Sequence, residues 1–144
     1  HLASSAASDV YKRQALYHFN KSDLDLWILE IGMGGRLDPM NFIEPDISVI
    51  TKVALDHQEY LGDTIEEIAA EKAEIARPEK PLIFGSENVP NAIIEKASKV
   101  NSYLISPEKK SYSHNEFSKK RNILDGKFLS LFMKPSLSLT FHQI

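Results

Sequence analysis

The sequence contains no cysteine, which excludes disulfides and thiolate-bound metal. It lacks any apolar run approaching the roughly 18 residues of a membrane span, and no secretory signal is visible. A formal charge of −3 leaves no excess of basic side chains to draw nucleic acid or an anionic membrane. No Walker-type phosphate loop, G-x-S-x-G elbow or H-E-x-x-H helix occurs, and there is neither an internal repeat nor a low-complexity segment. What remains is a chain of 144 residues, 42% apolar and 26% charged. That is the ordinary make-up of one globular domain with a single core, and the expected compartment is the cytoplasm.

The stretch Leu24–Gly62 organises the rest. Leu24–Ile31 is an apolar run that breaks at Gly32-Met33-Gly34-Gly35-Arg36-Leu37-Asp38, and Ile47–Leu55 breaks at Asp56-His57. Short runs rich in Ile, Val and Leu read as strands buried on both faces of a parallel sheet. Ligands of such sheets sit beyond the carboxyl ends of the strands. The chemistry is therefore expected around Glu30, Arg36, Asp38, Asp56 and His57. A dinucleotide fingerprint fails, because Leu37 stands where the third glycine belongs and Glu30 precedes the glycines.

Further along, Thr64 with Glu67 forms a capping-box pattern ahead of a helix over Ile65–Ala76, and Pro78 stops it. Ile65, Ile68, Ala69, Ile75 and Ala76 make its apolar stripe, and Lys72 falls on the same stripe. An inward lysine is unusual, since desolvation lowers its pKa. Spacing alone favours a packed stem with the head in water. Pro81–Phe84 reads as a strand, Asn91–Val100 as a helix introduced by Pro90, and Ser102–Ile105 as another strand. Alternating strands and helices predict right-handed crossovers in one α/β sheet. Glu108–Arg121 reads as a solvated basic loop. After the turn signal Asp125-Gly126, Lys127–Met133 and Ser136–Phe141 read as a β-hairpin region. His1–Gln14 has no clear period and resembles adapter-derived translation at the ends of assembled reads. It is expected to be a non-native leader, with a native loop or helix start as the alternative. The remainder, residues 15–144, is then expected to begin near the end of a helix over Ala15–Asn20.

Considered by themselves, Glu30 and His57 lie at the ends of two strands expected to be neighbours. A carboxylate plus an imidazole can hold a divalent metal or work as acid and base. The structural alternatives are a hydrogen-bonded strand-end carboxylate and an ordinary loop histidine.

The wording of three blocks goes further. LEIGMGGRLDPMN at Leu29–Asn41, ITKVALDHQEYLGDTIEEIAAEKAEI at Ile50–Ile75, and the following PEKPLIFG resemble the folylpolyglutamate synthase/dihydrofolate synthase family of the Mur ligase group. The resemblance runs from about Ala15 to Val100 and more loosely to the end. It implies a mostly parallel sheet flanked by helices, a Mur-ligase-like central ATPase domain that is incomplete at both ends. It also implies an ATP-dependent carbon–nitrogen ligase that adds L-glutamate to folate or dihydropteroate through an acyl phosphate, with Mg2+ as cofactor. Glu30 and His57 match the family's magnesium ligands, and Lys72 matches its carbamylated lysine. Leu37, Asp38 and Pro39 match the segment lining the pterin site, while Pro39-Met40, Lys52 and Glu74 depart from the common pattern. His142-Gln143 matches the segment before an ATP-contacting asparagine. The ATP loop and the C-terminal domain are expected outside this chain, so the chain alone is expected to be inactive. A monomer without nucleic-acid or membrane partners is expected. The alternatives are a Mur ligase of cell-wall precursor synthesis and a non-catalytic α/β binding module.

Overall fold

A computed structural model describes residues 2–107 and 137–142. Helix α1 spans Leu2–Lys21 and leads into strand β1, Leu26–Glu30. Strand β2, Ile47–Ile50, follows a 3-10 turn over Pro39–Phe42. Next come the short helix α2, Gln58–Leu61, and helix α3, Ile65–Ala73. Strand β3, Pro81–Phe84, helix α4, Asn91–Val100, strand β4, Tyr103–Ile105, and strand β5, Leu137–His142, complete the order. All five strands are parallel, in the order β1-β5-β2-β3-β4. No helix among the described residues is long and apolar enough to cross a membrane.

The alternation β2-α3-β3-α4-β4 is the one the sequence predicts. β2 and β3 are buried at three of four positions each, so their apolar runs have no polar face to show. α3 begins with the full capping box: the Glu67 N–H donates to Thr64 Oγ1 at 3.2 Å, and Glu67 Oε2 accepts from the Thr64 N–H at 3.0 Å. The helix stops at Ala73, short of the expected Ala76. Glu74, Ile75 and Ala76 donate to the carbonyls of Glu71, Lys72 and Ala73, a tighter turn that brings Ile75 and Ala76 into the core. α4 has the expected bounds and packs Ile93 and Ala97 inward.

Three expectations change. Ser136–Phe141 is not half of a hairpin: β5 over Leu137–His142 inserts parallel between β1 and β2. A period-2 pattern defines a strand but not its partner, and the chain between β4 and β5 is long enough for a crossover. The Lys127–Met133 strand, the Asp125-Gly126 turn and the Glu108–Arg121 loop lie outside the described residues. Second, β1 and β2 are not neighbours, so Glu30 and the end of β2 are two strand spacings, roughly 10 Å, apart. Third, β1 is not buried on both faces. As an edge strand it buries Leu29 and half-buries Trp27, which meets Phe19 of α1 at 5.7 Å between ring centroids. Leu26 and Ile28 on its other face are exposed. α1 runs unbroken through the expected leader and through Ala15–Asn20, with Leu16 and Phe19 packed on the core and Tyr11 and Tyr17 exposed.

Candidate active site

A cleft opens at the carboxyl ends of the strands, where the chain order of the sheet reverses. It holds about 420 Å³ of space continuous with solvent. The turn Gly32-Met33-Gly34 after β1 forms one wall, Lys52 to His57 after β2 forms a second, and Lys72 of α3 with Leu61 closes the third.

Two glycines allow the walls to meet. Gly34 sits at φ +69°, where a side chain would be strained. At Gly35 an added Cβ would overlap the backbone carbonyl of Glu71, so the turn after β1 lies flush against α3. Its neighbour Arg36 is exposed and pairs with Glu71 at 3.2 Å.

His57 also occupies the left-handed region, at φ 50° and ψ 39°, directly before α2. For a side chain with a Cβ that conformation costs about 1–2 kcal/mol. Asp56 holds it: Oδ1 accepts the His57 N–H at 2.8 Å, and Oδ2 lies 3.6 Å from His57 Nε2. Both side chains are more than half exposed and face the cleft. Opposite, Lys72 is only 8% exposed. Burial pushes its pKa below the usual lysine value, and the charge of Asp56 pulls it back up. The stem is packed, as the stripe predicts, and the side chain reaches the cleft lining.

Glu30 ends β1 with an exposed side chain outside the cleft lining. Among the described residues no three His, Asp or Glu side chains converge as a metal cage. An imidazole beside few carboxylates leaves an open site, which suits a divalent ion that completes its shell with water and substrate oxygens. It does not fit a structural zinc, which needs a closed tetrahedral set.

The structure separates Leu37, Asp38 and Pro39 from this cleft. Asp38 turns inward, with its side chain 5% exposed, and its carboxylate accepts from Gly32 N at 2.9 Å, Met40 N at 2.8 Å and Lys12 Nζ at 3.2 Å. It holds the glycine turn and the 3-10 turn in one arrangement. Leu37 is 83% exposed and Pro39 is exposed beside it. Arg77 ties the same loop to the end of α3. Its guanidinium donates to the Asn41 carbonyl, to Asn41 Oδ1 at 2.8 Å, to the Glu74 carbonyl at 3.2 Å and to Glu44 Oε1 at 2.9 Å. Sequence reading missed Arg77 and Lys12, since their partners lie 36 and 26 residues away. It noted Lys52 only as a departure from a pattern.

Comparison with known proteins agrees with this architecture. The chain is 45% identical over 87 residues to the dihydrofolate synthase/folylpolyglutamate synthase of Haemophilus influenzae, covering 60% of this chain and 20% of that protein. The Escherichia coli enzyme of the same name is 44% identical over 90 residues, or 62% of this chain and 21% of that protein. This chain thus spans about a fifth of the length of these relatives. Among solved structures, a bifunctional folylpolyglutamate synthase/dihydrofolate synthase with Mn, AMPPNP and L-glutamate bound superposes with a TM-score of 0.62 at 38% identity. That match covers 67% of this chain and 24% of the other. The family model described as the Mur ligase middle domain matches residues 4–141. The chain belongs to the Mur ligase middle-domain family.

Proposed function

We propose that this chain forms the phosphoryl-transfer centre of an ATP-dependent ligase that joins L-glutamate to folate or dihydropteroate. The observation that carries the reading is the meeting of Asp56-His57 with the buried Lys72 in a cleft at the reversal of strand order. Relatives named as folylpolyglutamate and dihydrofolate synthases supply the substrate class. In this reading a substrate carboxylate oxygen attacks the γ-phosphorus of ATP and ADP leaves. The amine of glutamate then attacks the acyl carbon, the C–O bond to phosphate breaks, and a proton is lost from nitrogen as the amide forms. Phosphoryl transfer of this kind depends on positioning and charge neutralisation. Bound Mg2+ would supply that neutralisation.

His57 is the residue we assign to that ion, held in place by Asp56; Glu30, at the end of β1 and outside the cleft lining, is its proposed second ligand. Lys72, favoured as the neutral amine by burial, takes up carbon dioxide: the nitrogen lone pair attacks carbon, a proton leaves, and a carbamate results. The amine on the cleft wall thereby becomes an anion that would help to hold a divalent ion. Leu37 and Pro39 present apolar surface to a flat pterin, and Asp38 keeps that loop in shape. The parent works as a monomer in the cytoplasm, where ATP and glutamate are abundant.

The test is turnover of the complete parent protein with ATP and radiolabelled glutamate. Product with dihydropteroate or a reduced folate, and none with a uridine-linked cell-wall peptide, is the expected result. The reverse preference would assign it to cell-wall synthesis. Nucleotide binding without turnover of either substrate would make it a binding module.

A further inference from the structure

We infer that Lys52 is an anion-positioning residue, placing its ammonium against a phosphoryl or carboxylate group held in the cleft. The inference rests on the ligase reading and adds a residue to it. Lys52 leaves β2 two residues after Ile50, is exposed, and lines the same cleft as the Gly32–Gly34 turn. It takes part in no ion pair among the described residues, unlike Lys12, Arg36, Arg77 and Lys96.

The cleft needs such a charge. Asp56 stands on the same wall and repels anions. The Gly32 N–H, which could have cradled a phosphate oxygen, is committed to Asp38 Oδ2 at 2.9 Å. Lys72, on the facing wall, is buried. Lys52 is thus the cation in the lining that an incoming anion meets without displacing a protein partner. An ammonium on a flexible stem acts there as a mobile point charge, following an oxygen through the reaction better than a rigid fork would.

The experiment is calorimetric titration of the 144-residue chain with inorganic phosphate, comparing wild type, Lys52→Gln, Lys52→Arg and the exposed control Lys99→Gln. Circular dichroism melts of each protein are run alongside. We expect binding to weaken roughly three- to tenfold in Lys52→Gln. Lys52→Arg should hold within about twofold, and Lys99→Gln should match wild type. Melting should stay unchanged, since Lys52 packs against nothing it would leave unpaired. Added salt should weaken wild-type binding more steeply than that of Lys52→Gln. Equal affinity in wild type and Lys52→Gln, or no phosphate binding by wild type, overturns the inference. The ligase reading is judged separately, by turnover of the parent protein.

Discussion

Lys72 is where the cost of burial and the use of burial meet. Its amine holds a proton less tightly in the folded chain than in the unfolded one. The unfolded chain therefore binds more protons, and stability rises with pH in the window below the usual lysine value of about 10.5. In carbon-dioxide-free buffer, Lys72→Met should stabilise the fold at neutral pH and flatten that rise, as read by urea denaturation near pH 7 and again near pH 9.5. A variant less stable than wild type at neutral pH would mean that the lysine's interactions outweigh the cost of burying it. Gly35→Ala should destabilise by about 1–3 kcal/mol, because its Cβ meets the Glu71 carbonyl and the turn must leave α3. A loss below about 0.5 kcal/mol would show that the loop adjusts freely. Lys72 was legible in the sequence because a polar residue at helical spacing stands out against an apolar stripe. Asp38 was legible as important, but what it does was not. Its carboxylate binds the N–H groups of Gly32 and Met40, a geometry that exists only once the loop has closed.

Among the elements, α3 carries the site and is held at both ends. Its capping box makes Thr64→Ala cost about 1 kcal/mol in urea denaturation. Hydrogen bonds from Thr64 Oγ1 and from the Asp63 and Thr64 N–H groups hold the Glu67 pKa below the usual carboxylate value. The support of that carboxylate is full above its unfolded pKa and is lost as pH falls through the folded one, so the gap between wild type and Glu67→Gln should close in acid. At the far end Arg77 links α3 to the loop over residues 37–44. Arg77→Ala should speed amide exchange at Asn41 and Ile43 more than at Leu82 in β3. Uniform acceleration would instead mean global loss of stability. The start of α3 and the bounds of β3 and α4 were readable because caps, prolines and stripes are local signals, whereas the tight turn that ends α3 at Ala73 was not. The partner of β5 was not, since the sequence of a strand fixes its faces but not its neighbour.

For the whole molecule, the reversal of strand order decides where ligands go, and β5 between β1 and β2 sets the width of that opening. The sequence reading expected β1 and β2 to be neighbours and so brought Glu30 too near His57, because it had no strand to put between them. This chain spans about a fifth of its relatives' length, and in the glycine turn that lines the cleft the Gly32 N–H is committed to Asp38 rather than open to a phosphate. The 144-residue chain should therefore show no glutamate-ligase turnover by itself, and measurable product from the purified chain would contradict this. The chemistry proposed for the cleft depends on Lys72 serving as a carbon-dioxide acceptor beside His57 and Asp56. The direct measurement is carbon NMR of the chain in 13C-bicarbonate at mildly alkaline pH, with Lys72→Met as control. A carbamate resonance in wild type that is absent from Lys72→Met is the predicted result. No such resonance in wild type, or the same resonance in both proteins, would contradict it.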